Sequence, residues 1–155
     1  EYADWVHSEI LQRKIRYFTL IGHSMGGYIA LAYARKHGDF IAGLGLFHST
    51  AFADSEEKKV SRDKTVKFLA KHGAATFIED FLPKMYHPEF LKRNSTYIKQ
   101  QLADNQRIPT EALQVATKAI KNRKDTQAVL KNAKYPVLHV IGKADKFIEF
   151  DDALS

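Results

Sequence analysis

The sequence predicts an α/β fold organised around a parallel sheet, and three observations carry that prediction. Residues Gly22-His23-Ser24-Met25-Gly26-Gly27 follow the apolar run Tyr17–Ile21 and lead into the helical pattern Tyr28–Arg35, so a strand, a tight turn and a helix meet at Ser24. The apolar runs Ile41–Phe47 and Pro136–Ile141 lack the alternation of a half-exposed strand, which marks strands buried on both faces of a parallel sheet. Between them, from Ala51 to about Asn122, no run looks like a strand and the pattern is helical throughout.

Taken in order, Glu1–Arg13 places Trp5, Val6, Ile10 and Leu11 at helical spacing and reads as the helix before the Ser24 strand. The strand spans 17–21, and the helix after it runs from about Gly26 to His37, closed by Gly38 as a left-handed cap. With Ile41–Phe47 this makes a β-α-β unit. Asp54 with Glu57 three residues on predicts a capping box, opening a helix that ends near Gly73. Phe77, Ile78, Phe81, Leu82, Met85 and Tyr86 form the next apolar stripe. Pro88 opens a helix through Leu91, Ile98 and Leu102, and Pro109-Thr110 opens another through Leu113 and Ile120. A short helix over 125–132 leads into Val137–Ile141, expected as a third buried strand. The expected organisation is therefore a core part over 1–50, a helical insertion over 51–122 and a second core part over 123–155.

The pattern G-x-S-x-G at the strand-to-helix junction is the spacing of a nucleophile elbow. The chain reverses so sharply there that small residues are expected two positions either side of the serine, whose oxygen projects from the end of the sheet. A glycine-rich turn without chemistry is the alternative reading.

With "GHSMGG" as its elbow, the chain resembles the α/β-hydrolase superfamily, in particular its cap-bearing serine esterases and carbon–carbon bond hydrolases. The resemblance covers most of the chain. It implies an α/β-hydrolase fold with Ser24 as nucleophile, the Met25 N–H as one oxyanion donor, an acid on a later strand and a histidine after the last strand. Asp145, in Gly142-Lys143-Ala144-Asp145 directly after the third strand, is the position that matches the acid; a turn-forming aspartate is the bland alternative. Asp54 is the other candidate acid, with helix capping as its competing use. The insertion corresponds to the family's cap, so Phe77, Phe81 and Met85 are candidate substrate contacts, against simple packing of cap on core.

None of the seven histidines follows Asp145. His23 lies inside the elbow and His48 ends the second strand, and both are candidate substrate-side residues; His48 is also the first in line as base among those present. His139 falls within a strand and reads as a neutral, hydrogen-bonded core residue. The absent histidine, the absent second oxyanion donor and a start in mid-helix read as an internal piece of a longer hydrolase, inactive alone. Its open sheet edges would favour self-association.

The expected activity is hydrolysis of a small-molecule carboxylic ester or related acyl compound through an acyl-enzyme, with no metal and no organic cofactor. Carbon–carbon hydrolysis, perhydrolysis and a non-catalytic ligand-binding or signalling role on the same fold stay open. Net charge is +6, from 24 basic against 18 acidic residues, but the lysines alternate with acids along amphipathic stretches and no basic run interleaves with aromatics, so nucleic acid is not an expected partner. No apolar run is long enough for a membrane span. The absence of cysteine fits a reducing cytoplasm and excludes disulfides.

Overall fold

The computed structural model describes residues 1–148 and 150. The chain divides into two compact units, Glu1–Ala53 with the chain from Arg123 onward, and Asp54–Asn122. Residues 149 and 151–155 of the expected third segment lie outside the described residues.

In the first unit, strands β1 (Phe18–His23), β2 (Ile41–Phe47) and β3 (Val137–Val140) form a parallel sheet in the order β1-β2-β3. The register sets Leu20 opposite Leu44 and His23 opposite Phe47, then Leu46 opposite His139 and Phe47 opposite Val140. Helix α2 (Met25–His37) lies against β1 and β2, with α1 (Tyr2–Gln12) and α7 (Gln127–Lys131) beside it. Its buried side chains Ala30, Leu31, Tyr33 and Ala34 are small or apolar at helical spacing, so the helix approaches the sheet over Leu44 and Leu46. β2, paired on both sides, is buried along most of its length as its unbroken apolar run predicts.

β3 departs from expectation. It pairs on one side only among the described residues, and Leu138 is 56% exposed rather than buried. β1 is the other outer strand, with Ile21 61% exposed. Gly38 is likewise not a left-handed cap: its φ is −58° and the chain continues as a 3-10 turn over Gly38–Phe40. That turn sets the Phe40 ring edge-on to His7 of α1, 5.2 Å between centroids.

The second unit is helical: α3 (Glu56–Phe81), a 3-10 turn at Leu82–Met85, α4 (Pro88–Arg93), α5 (Ser95–Asn105) and α6 (Thr110–Lys121). The expected capping box at Asp54 does not form, and a simple cap stands one residue later. Ser55 is the cap, its Oγ accepting the Lys58 N–H at 3.2 Å, because the Asp54 carboxylate, 1% exposed, is taken up by Arg62 Nε at 3.1 Å. Gly73 ends the first helical stretch of α3, as expected: its φ of +81° and ψ of 170° are non-helical and suit glycine, so Glu56–Phe81 is two helices meeting at a kink, and the following Ala74 N–H is capped by Thr110 Oγ1 at 3.0 Å. The single helix expected after Pro88 is two. Asn94 separates them by turning both its backbone N–H and its side-chain Nδ2 onto the Phe90 carbonyl, at 3.0 and 2.9 Å. Among the described residues no helix is long and apolar enough to cross a membrane.

Candidate active site

Three parallel strands end on the same side of the sheet, and His23, Ser24, Met25, His48 and Asp145 of the predicted site residues lie at those ends. β1 stops at His23, α2 starts at Met25, and Ser24 between them holds φ +50° and ψ −118°. A side-chain-bearing residue reaches that conformation only when its surroundings over-determine it. Here the Ser24 N–H donates to the Phe47 carbonyl at 2.9 Å, extending the ladder by one rung, and the Ser24 carbonyl accepts the Gly27 N–H at 2.9 Å.

The glycines are not equivalent. A Cβ on Gly22 would stand 2.3 Å from the Gly26 carbonyl oxygen, so the close approach of strand and helix requires its absence. A Cβ on Gly26 would meet nothing within 4 Å. The second crowded position is Gly27, where a Cβ would stand 2.2 Å from Ser49 Oγ. The expectation of a forced small residue two places after Ser24 is corrected accordingly: the steric demand falls three places after it.

Met25 is the first residue of α2, so its N–H has no intrahelical carbonyl within reach and lies at the positive end of the helix. That is a suitable donor to a developing negative charge next to Ser24.

Asp145 takes the turn-forming place that is one of its two readings, and it also faces a histidine. Its Oδ1 closes an Asx turn, accepting the N–H groups of Phe147 at 2.8 Å and Ile148 at 3.1 Å, while its Oδ2 lies 2.6 Å from His48 Nδ1. Burial pushes the carboxyl pKa up. The Phe147 N–H, the His48 ring and the Ile148 N–H together outweigh that effect and leave it below the ordinary aspartate value. The carboxylate is therefore held ionised and aimed at an imidazole.

His48 is the residue that reaches it. Its backbone, at φ +45°, leaves β2 with the N–H donating to the Val140 carbonyl at 2.8 Å, which carries the side chain toward the turn after β3. The ring rests on Gly142, where a Cβ would come within 2.8 Å of Cε1, and the side chain is 40% exposed. The His23 ring stands edge-on to it, 6.0 Å between centroids. His139 donates from Nε2 to the Ser49 carbonyl at 2.9 Å and is half-buried in β3, a hydrogen-bonded residue as its strand position implies.

Sequence reasoning missed Ser49. It is 0% exposed, and its Oγ donates to the Ser24 carbonyl at 2.9 Å. The only sequence signal is its place just past the end of the strand beside the elbow strand. Phe77, Phe81 and Met85 belong to the second unit: the two phenylalanine rings stack at 5.1 Å and 15°, and Met85 is exposed on the 3-10 turn. Asp54, the other candidate acid, is engaged with Arg62 within that same unit. Among the described residues no group of three or more histidine, aspartate or glutamate side chains is arranged to hold a metal ion.

Residues 5–153 match the family described as serine aminopeptidase, S33. Among solved structures, the chain is similar to a malate-bound thermophilic esterase from Thermogutta terrifontis, at 25% identity and a TM-score of 0.88 over 98% of this chain and 56% of that one. It is similar in fold to a hydrolase from Pseudomonas aeruginosa PA01, at 18% identity and 0.86 over 98% of this chain and 56% of that one. It is similar in fold also to the enol-lactonase from Burkholderia xenovorans LB400, at 22% identity and 0.85 over 98% of this chain and 57% of that one. The chain thus spans little more than half the length of these structures. No curated protein sequence matches it. The chain belongs to the serine aminopeptidase S33 family of the α/β-hydrolase superfamily.

Proposed function

We propose that this chain supplies the nucleophile and the acid of a serine hydrolase that cleaves a small carboxylic ester or related acyl compound through an acyl-enzyme. The observation that carries the reading is Ser24, held at positive φ between β1 and α2 at the sheet end where Asp145 offers its free oxygen to an imidazole. The Ser24 hydroxyl attacks the acyl carbon while an imidazole takes its proton, and the Met25 N–H receives the oxyanion. The imidazolium then protonates the leaving alcohol, and water releases the acid by the reverse sequence. Asp145 fixes the tautomer and stabilises the imidazolium. The esterase and enol-lactonase among the similar structures support an acyl-oxygen bond as the target.

The family order places the base after the acid. The 2.6 Å contact of His48 with Asp145 favours a second reading, in which His48 is the base. Two variants of the full-length protein separate these. Asp145→Asn keeps an oxygen for the Phe147 and Ile148 N–H groups, so the fold survives, while turnover of p-nitrophenyl acetate falls by about 10³ to 10⁴ as the imidazole loses its acceptor. His48→Asn leaves turnover nearly intact if the base follows the acid, and matches Asp145→Asn if His48 is the base. A folded Asp145→Asn protein with activity within about tenfold of wild type would remove the acid from the proposal.

A further inference from the structure

Resting on the reading of Ser24 as nucleophile and the Met25 N–H as oxyanion donor, we propose that Ser49 is a positioning residue whose buried hydroxyl orients that donor. The described residues contain no cis peptide bond, so in the planar peptide joining Ser24 to Met25 the carbonyl and the N–H point in opposite directions. Whatever fixes the Ser24 oxygen therefore fixes the direction of the Met25 N–H. Among the described residues, the Gly27 N–H at 2.9 Å and Ser49 Oγ at 2.9 Å both donate to that oxygen.

The two donors differ in kind. Gly27 lies in the same first turn of α2 and moves with it, whereas Ser49 belongs to the segment after β2. Ser49 is itself held from β3, its carbonyl accepting His139 Nε2 at 2.9 Å. The hydroxyl thus adds a tie between the first peptide of the helix and the segment after β2, beside the ladder bond of the Ser24 N–H to the Phe47 carbonyl. The bare Gly27 makes the tie possible, because a Cβ there would occupy the place of Ser49 Oγ. Donation to the carbonyl also polarises the amide and strengthens its N–H as a donor on the opposite side. Since an oxyanion exists only in the transition states and intermediates, losing this orientation lowers kcat and leaves ground-state binding unchanged.

The test compares Ser49→Ala with wild type in the full-length protein, all rates being expressed per site titrated by a fluorophosphonate probe so that misfolded protein does not count. For Ser49→Ala, kcat on p-nitrophenyl acetate is expected to fall about tenfold with KM nearly unchanged, less than the loss from deleting a donor outright. The inhibition constant of an alkyl trifluoromethyl ketone, which forms a tetrahedral oxyanion adduct, rises by the same factor, a correlation that loss of packing does not produce. A kcat per site within about twofold of wild type, or a fall in kcat with the ketone constant unmoved, overturns the role of Ser49 while wild-type labelling at Ser24 upholds the nucleophile. Failure of the probe to label Ser24 in wild type overturns both.

Discussion

Replacing Gly22 by alanine places a methyl group inside the contact that makes the elbow. The new Cβ would stand 2.3 Å from the Gly26 oxygen, 2.4 Å from the Gly26 carbonyl carbon and 2.5 Å from the Gly27 nitrogen. All three are backbone atoms, so no rotamer change relieves the overlap. Restoring ordinary contact needs the start of α2 to retreat from β1 by about 1 Å. Overpacking that side chains absorb costs about 1 to 3 kcal/mol, and a backbone obstacle belongs at about 3. For a protein of this size class that lowers Tm by roughly 6 to 12 °C. Gly27→Ala, which meets Ser49 Oγ at 2.2 Å and Ser49 Cβ at 2.5 Å, is expected to cost about 2 kcal/mol, because the hydroxyl can rotate away but the Cβ cannot. Gly26→Ala projects into open space and gains by stiffening the unfolded chain, up to about 1 kcal/mol. Thermal unfolding of the three variants followed by circular dichroism gives the order Gly26→Ala above wild type, then Gly27→Ala, then Gly22→Ala. A Gly22→Ala protein melting within about 1 °C of wild type would show that the elbow is not sterically closed in this way.

The stacked pair His7 and His37, 3.7 Å and 4° apart, gives a pH dependence: burial first, then the neighbouring His7, lower the His37 pKa below 6.5. The unfolded chain then takes up the proton at higher pH than the fold, so stability falls as pH drops below 6.5 and levels once the folded value is passed. His37→Phe keeps the ring and loses the charge, so its Tm should change less than that of wild type between neutral pH and mildly acid pH; equal changes would refute the assignment. In the second unit, Phe81→Ala should shift the preference between short and long p-nitrophenyl esters by about 1 to 3 kcal/mol per methylene of lost contact, read from kcat/KM ratios. An equal loss on every chain length would instead assign the Phe77 and Phe81 stack to packing alone.

The strand-turn-helix of the elbow was legible because it is local: six consecutive residues carry the turn, and apolar runs on either side identify the strand and the helix, whereas the crowding at Gly27 comes from Ser49 of another segment. Asp145 was singled out through the resemblance, as the position after a strand that matches the family's acid, and its turn is what the fold shows there. What escaped reading depends on register. His48 and Asp145 meet across 97 positions because Phe47 pairs with Val140, and nothing within either segment states that pairing. Ser49 escaped for the same reason, since its partner Ser24 lies on a different strand's exit. The capping error at Asp54 has a comparable origin. A local rule assigned its carboxylate to the helix start, while Arg62 two turns further on competes for it and leaves the cap to Ser55. β3 read as buried because its residues are apolar, yet burial follows from what pairs with a strand as much as from composition.

The role of Ser24 as nucleophile is tested by the site of covalent modification by a fluorophosphonate in the full-length protein, identified by peptide mass spectrometry beside p-nitrophenyl acetate turnover. One adduct is expected, on Ser24, with loss of turnover in proportion to labelling, and a Ser24→Ala protein that is folded, unlabelled and inactive. An adduct on another residue, together with a Ser24→Ala protein that still hydrolyses the ester, would contradict that role.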